Sequence, residues 1–162
     1  MPIEIERKFL LKNDSWRPAA DAGTKMRQGY LSNNDKSSIR VRISGDVAHL
    51  NIKSAEPGCV RREYEYPIPV SEAEELLADL CHDALIEKVR YKVNFSGFIW
   101  EIDVFSGVNQ GLIVAEIELD DLEQKFLRPP WVGREVSDEI RYYNSHLISY
   151  PFNQWTSDQK LR

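Results

Sequence analysis

Period-two alternation runs through this chain, and it restricts the possible folds more tightly than any other feature of its 162 residues. Residues 3–9 read Ile-Glu-Ile-Glu-Arg-Lys-Phe, with apolar side chains mostly at odd positions and charged ones mostly at even positions. Successive side chains of a strand point to opposite faces, so this spacing predicts a β-strand with one apolar and one ionic face. The pattern recurs along the sequence. Ile39, Val41 and Ile43 alternate with Arg40 and Arg42, Leu50 and Ile52 with Asn51 and Lys53, and Tyr64 and Tyr66 with Glu63 and Glu65. Val89, Tyr91 and Val93 alternate with Lys88, Arg90 and Lys92. Trp100, Ile102 and Val104 alternate with Glu101 and Asp103, and Ala115, Ile117 and Leu119 with Glu116 and Glu118. An extended segment near Gln28 to Leu31 brings the count to about eight strands, a number that can close on itself.

Helical signals fall between and after the strands. Ser71 and Glu74 have capping-box spacing, and Ala73, Leu76, Leu77 and Leu80 form an apolar stripe, which predicts a helix over about 71–82. A short helix is expected after Asp121, ending before Pro129, and another opening at Ser137 with Ile140, Tyr143 and Leu147 nearly facing one another. Such helices must cover something apolar. The apolar strand faces are the natural surface, which sends the ionic faces the other way.

The alternation by itself also describes an open antiparallel sheet with helices on one side and water on the other. Two details favour closure. The polar parity is filled almost wholly by ionised groups rather than Thr, Ser or Gln, and the charges are sorted by strand. Glu4 with Glu6, Glu63 with Glu65, Glu101 with Asp103 and Glu116 with Glu118 are acidic, whereas Arg40 with Arg42, Lys53, and Lys88 with Arg90 are basic. Like charges on one strand face repel, so a sheet shaped by stability alone would interleave signs. Enclosed carboxylates need neutralisation, and a hard divalent cation, Mg²⁺ or Mn²⁺, suits an all-oxygen donor set better than zinc or copper. The basic strands then call for an anion of comparable charge. A polyphosphate satisfies both halves, since its oxygens can face metal on one side and Arg or Lys on the other.

Bulk properties narrow the classes further. The length suits one domain with its own core. With 21 basic and 26 acidic residues, the net charge of -5 argues against a nucleic-acid partner held by overall positive charge. There is no apolar run long enough to span a bilayer and no signal-peptide pattern, so no membrane partner and a cytoplasmic location are expected. Cys59 and Cys81 have no partner spacing and read as structural thiols, and His49, His82 and His146 stand isolated. Trp16, Trp131 and Trp155 are expected to pack, with Trp155 the one candidate to cover a tunnel mouth. The sequence leaves a homodimer open.

Glu4-Ile5-Glu6-Arg7-Lys8 resembles the N-terminal ExExK signature of the CYTH superfamily, the triphosphate tunnel metalloenzymes. The resemblance continues in order through Gln28-Gly29-Tyr30-Leu31, Arg40-Val41-Arg42, Lys53, Arg61 with Glu63 and Glu65, and Glu87-Lys88-Val89-Arg90. It extends over Glu101-Ile102-Asp103, Glu116-Ile117-Glu118, Gly133 to Asp138, and Arg141-Tyr142-Tyr143-Asn144. It implies a CYTH-like domain over 1–150 followed by a tail over 151–162, of α+β class: an eight-stranded antiparallel β-barrel, or tunnel, with a charged interior and a few flanking helices. It also implies metal ligation by Glu4, Glu6, Glu118 and Glu116, and phosphate binding by Lys8, Arg40, Arg42, Lys53, Lys88 and Arg90. Lys8, Glu116, Asp103 and Glu101 form the implied catalytic set, while Glu63, Glu65, Arg61 and Tyr30 support it. Tyr30 reads equally as a packed aromatic. The implied activity is Mg²⁺- or Mn²⁺-dependent hydrolysis of a small-molecule triphosphate, first of all inorganic tripolyphosphate to pyrophosphate and phosphate. A class IV-type adenylate cyclase, a thiamine triphosphatase, and a non-catalytic polyphosphate- or nucleotide-binding module are the alternatives.

Overall fold

The computed structural model describes residues 2–160, so Leu161 and Arg162 at the end of the expected tail lie outside the described residues. Nine strands dominate it: β1 (Ile3–Leu11), β2 (Thr24–Asn33), β3 (Ser37–Ser44), β4 (Val47–Ser54), β5 (Val60–Ile68), β6 (His82–Phe95), β7 (Phe98–Phe105), β8 (Ile113–Glu118) and β9 (Val132–Glu135). Every pairing is antiparallel. The order is β5-β4-β3-β2-β6-β7-β8-β1-β9, and a further pairing of β5 with β1 closes the first eight strands into a barrel. Closure exploits the length of β1. Its start, Ile3 to Ile5, pairs with β5, its middle, Glu6 to Leu10, with β8, and its end, at Phe9 and Leu11, with β9. The ninth strand is the departure from the expected eight. It has four residues, too few for an alternation to register, and Gly133 lets it approach β1, because a Cβ there would stand 3.0 Å from the Leu10 carbonyl oxygen.

Apolar side chains of the strands divide by parity into two outer clusters and one inner cluster. Phe9, Trp100, Ile102, Ala115 and Ile117 face outward and are covered by loops carrying Trp16 and Trp131. The helix α1 (Val70–Asp79) lays Ala73 and Leu77 on Val41, Ile43 and Ala48 of β3 and β4. Leu77→Ala should therefore lower stability by about 2–4 kcal/mol, the usual result of emptying a buried Leu site; urea unfolding at unchanged slope would measure it. The third cluster lies inside the barrel. Leu10, Ile86, Phe105 and Val114 share the inward parity and pack against Tyr142, Leu147, Ile148 and Trp155 of the C-terminal segment. Trp155, 5% exposed, is thus part of an apolar plug that fills one end of the barrel.

Three helical expectations are corrected. α1 starts one residue early, at Val70, with Pro69 at its N-cap and no side-chain cap, so Ser71 and Glu74 form no capping box; Glu74 pairs instead with Arg27 on β2. It stops at Asp79 because β6 already begins at His82. No helix follows Asp121. Its carboxylate accepts the Glu123 N–H at 2.7 Å and makes a turn, and the chain then extends to bring Phe126 against Phe9 and Trp100. Ser137 opens no helix either, because its hydroxyl is committed elsewhere: it accepts the Lys8 N–H at 3.0 Å and donates to Glu135 at 2.8 Å. The chain beyond it forms a 3-10 turn at Ile140–Tyr142 and a single α-turn, α2 (Asn144–Leu147). Among the described residues no helix is long and apolar enough to cross a membrane.

Candidate functional site

Above the apolar plug, the inward parity of the strands becomes ionic and surrounds a cavity of about 530 Å³. Its volume is ordinary for a small-molecule site. Its lining is not, for seven acidic and seven basic side chains face it: Glu4, Glu6, Glu63, Glu65, Glu101, Glu116 and Glu118 against Lys8, Arg40, Arg42, Lys53, Arg61, Lys88 and Arg90. Tyr30 lines it as well while packing in the plug cluster. Asp103 is the one sequence-selected residue that does not reach the cavity. It is 0% exposed and lies behind the basic groups, with Oδ2 2.7 Å from Lys88 Nζ and its two oxygens 2.7 and 2.9 Å from Arg90 Nε and Nη2.

Strand register decides which charges meet. Lys8 stands opposite Glu116, Arg90 opposite Asp103, Lys53 opposite Glu63 and Glu4 opposite Arg61, so many pairs neutralise across strands. Glu6 faces Glu118, and Glu101 faces Glu116, which leaves an acid-rich seam along β1, β8 and β7. On the other side Arg40 Nε and Arg42 Nε are buried with no hydrogen-bond acceptor among the described residues. A desolvated guanidinium N–H without an acceptor is expensive, and an anion in the cavity would satisfy it.

Both acids on the inward face of β1 are raised above the usual carboxylate range. Burial raises the Glu6 carboxyl well above the usual carboxylate range, and the neighbouring Glu116 and Glu4 raise it further. Glu116 shares a hydrogen bond with Glu6, yet Lys8 and Arg90 outweigh its own burial and keep it well below that range. Burial and neighbouring charge thus push the two carboxyls of the pair in opposite directions. Glu4 and Glu63 repeat the arrangement. Burial raises Glu4 against the pull of Lys53, whereas Glu63, although buried, is drawn down to about 2 by Lys53, the Glu4 hydrogen bond, Arg40 and Asn51. Glu118 is raised by burial and by Glu101 and Glu63. Among the cations, burial and Arg90 lower Lys88 to about 8 against the pull of Asp103, and burial with Arg40 and Arg90 lowers Arg42 to about 10.

Glu4 and Glu6, two neighbouring inward positions of one strand, are both raised by burial and crowded acids, and a divalent cation there would relieve the same repulsion. The donors are all carboxylate oxygens, which suits a hard metal. Among the described residues, no three acidic, His or Cys side chains are already drawn into a metal cage, so further oxygen ligands would have to come from water or a bound anion.

Residues outside the sequence selection also belong to the site. Asn51 Nδ2 donates to Glu63 at 2.8 Å and to Glu65 at 2.6 Å, and its place between Leu50 and Ile52 already put it on the inward parity. His49 shares that parity, with Nε2 3.7 Å from Glu65, and so is less isolated than its sequence context implied. Tyr143, Asn144 and Ser145 line the cavity from a stretch without alternation, and Cys59 does so from the turn before β5. Tyr143 and Asn144 fall in the Arg141-Tyr142-Tyr143-Asn144 motif without a role being read from it, whereas no local pattern marks Ser145 or Cys59.

A family profile described as CYTH domain matches residues 2–147. An inorganic triphosphatase of Acetivibrio thermocellus is 46% identical over 155 residues, covering 96% of this chain and 99% of the relative. One from Nitrosomonas europaea is 37% identical over 153 residues, covering 91% of this chain and 99% of the relative. A crystal structure of an inorganic triphosphatase superposes with a TM-score of 0.64 at 34% identity, covering 91% of this chain and 95% of the other. A Hippeastrum protein whose description combines adenylyl cyclase with a dominant triphosphatase activity shares the fold, with a TM-score of 0.57 at 16% identity over 76% of this chain and 81% of its own.

Proposed function

Because the chain belongs to the CYTH domain family, we propose that its tunnel hydrolyses inorganic triphosphate to pyrophosphate and phosphate. The observation that carries the reading is the cavity itself: an acid-rich seam on one side, unsatisfied guanidinium groups on the other, and room for a small anion between them. Phosphoryl transfer asks little covalent chemistry of a protein; in-line positioning and cancellation of charge supply most of the rate.

In this assignment Arg40, Arg42, Lys53, Arg90, Lys8 and Lys88 hold the phosphate oxygens, with Arg61 at the edge of the set. Asp103 fixes Lys88 and Arg90 from behind rather than meeting substrate, and Glu63 does the same for Lys53, with Asn51 joining it to Glu65. Glu4, Glu6, Glu118 and Glu116 would hold Mg²⁺ or Mn²⁺, which when bound cancels charge on the phosphate oxygens. Glu116, kept ionised by Lys8 and Arg90, and Glu101 opposite it are the carboxylates able to accept hydrogen bonds from an attacking water and orient it on the terminal phosphorus. Pyrophosphate leaves against the lysines and arginines. A cytoplasmic setting is consistent with the two free thiols, Cys59 and Cys81.

Phosphate release from tripolyphosphate, ATP, thiamine triphosphate and pyrophosphate, each with Mg²⁺ or Mn²⁺, tests the reading. Tripolyphosphate should be turned over fastest, with no cyclic AMP formed from ATP. A melting shift with tripolyphosphate but no release with either metal would make the protein a binding module.

A further inference from the structure

The cavity wall is completed by a piece of chain outside the barrel strands. Asn144, at the start of α2, accepts a hydrogen bond through Oδ1 from Lys88 Nζ at 3.3 Å, while the same ammonium donates to Asp103 at 2.7 Å. An ammonium has donors only, so it fixes which arm of the amide faces it. The Nδ2 arm points away from Lys88, and no group among the described residues accepts from it.

Asn144 has no architectural duty to explain it. It is half-buried rather than core, and no side chain caps α2. Its neighbours pin the backbone without its help. Lys8 Nζ donates to the Tyr142 carbonyl at 3.2 Å, the Tyr143 hydroxyl donates to the Ser137 carbonyl at 2.6 Å and accepts the Gly58 N–H at 3.1 Å, and Arg61 stacks 4.4 Å from the Tyr143 ring centroid. The amide is thus held in one orientation beside the cations at the cavity wall, with a neutral N–H₂ group to spare.

We infer that Asn144 is a substrate-contacting residue, its Nδ2 donating to a phosphate oxygen next to the one held by Lys88. The inference rests on the cavity being a triphosphate site. It adds a directional, uncharged donor to a set otherwise made of cations, and one that suits a ligand whose exposed atoms are all acceptors.

Two variants separate this from a role exerted only through Lys88. Asn144→Asp keeps the oxygen that Lys88 needs but replaces the donor with a carboxylate facing phosphate; Asn144→Ala removes both arms. For tripolyphosphate with Mg²⁺, KM should rise about 10-fold in Asn144→Ala and about 100-fold in Asn144→Asp, with kcat changed less and the substrate-free melting temperature unchanged. Wild-type KM in both variants overturns the inference, and so does Asn144→Asp behaving as wild type while Asn144→Ala loses kcat. If the wild-type protein releases no phosphate, hydrolysis fails as the activity, and the contact is decided by binding alone. A tripolyphosphate-induced melting shift smaller in Asn144→Asp than in wild type then supports it, and an equal shift overturns it.

Discussion

Glu6→Gln should abolish metal-dependent phosphate release from tripolyphosphate, by about 1,000-fold, while leaving the metal-free protein at least as stable as the parent at pH 8. The activity loss comes from removing one ligand of a charge-cancelling cation, a contribution of about 4 kcal/mol to the transition state. The stability result comes from burial and from the acids around Glu6, which raise its carboxyl well above its ordinary value. A folded-state value above the unfolded one means that Glu6 favours the fold only while protonated, and this contribution is lost as pH rises through the raised value. Above that value an ionised Glu6 opposes Glu4 and Glu116, and the neutral amide does not. Mg²⁺ or Mn²⁺ should reverse the order, raising the parent's melting temperature more than the variant's, and more at pH 8 than at pH 5. Turnover at the parental rate, or a variant that melts well below the parent in EDTA at pH 8, would falsify the metal assignment.

How far these groups can be read from sequence alone differs by kind. Facing is legible: period-two spacing puts Glu4, Glu6, Lys8, Arg40, Arg42 and their counterparts on one surface, and closure through β1 and β5 makes that surface an interior. Register is not. Whether Arg90 meets Asp103 or Glu6 meets Glu118 depends on how far one strand slides along its neighbour, which local spacing does not encode. That is why the sorted charges imply a metal as the neutraliser when cross-strand pairs already do part of the work, and why strand position groups Asp103 with Glu101 at the reacting centre instead of behind Lys88 and Arg90. The C-terminal segment is least legible. Ser137 resembles a helix N-cap, but its hydroxyl is taken by Lys8 and Glu135, 129 positions earlier and two positions earlier respectively. Leu147 reads as one face of a helix and Trp155 as a packing residue or a cover for a tunnel mouth, and only the open end of the barrel brings the two into one cluster. Asn144 obeys the same logic, since only the folded plug brings it to Lys88.

Removing the Asp103 carboxylate should be the most damaging single change to the fold, and triphosphate should partly undo it. Asp103 is fully buried and binds Arg90 through both oxygens and Lys88 through one. Among the described residues Asp103→Ala leaves Lys88 without its ion-pair partner and Arg90 with only Glu101 at 3.1 Å and Glu116 at 3.6 Å, and breaking a buried pair in this way destabilises proteins by about 3–5 kcal/mol. Burial pushes this carboxyl up, but Arg90 and Lys88 outweigh it and hold it below its ordinary value. Its contribution is therefore complete above the unfolded carboxylate range and is lost as pH falls through the lowered value, so the gap between parent and variant is widest near neutrality and closes in acid. Activity should fall at least about 100-fold, since Lys88 and Arg90 are no longer held in register with the phosphates. Tripolyphosphate carries the charge those two side chains lack in the variant, so adding it without metal should raise the variant's melting temperature more than the parent's. Urea unfolding at pH 7 and over a descending series below pH 4, with a melting titration against tripolyphosphate, measures each part. A variant as stable as the parent at pH 7 would mean that the lysine and arginine find water or other acids as good as Asp103, and that the carboxylate behind them is not what holds the phosphate side of the tunnel in place.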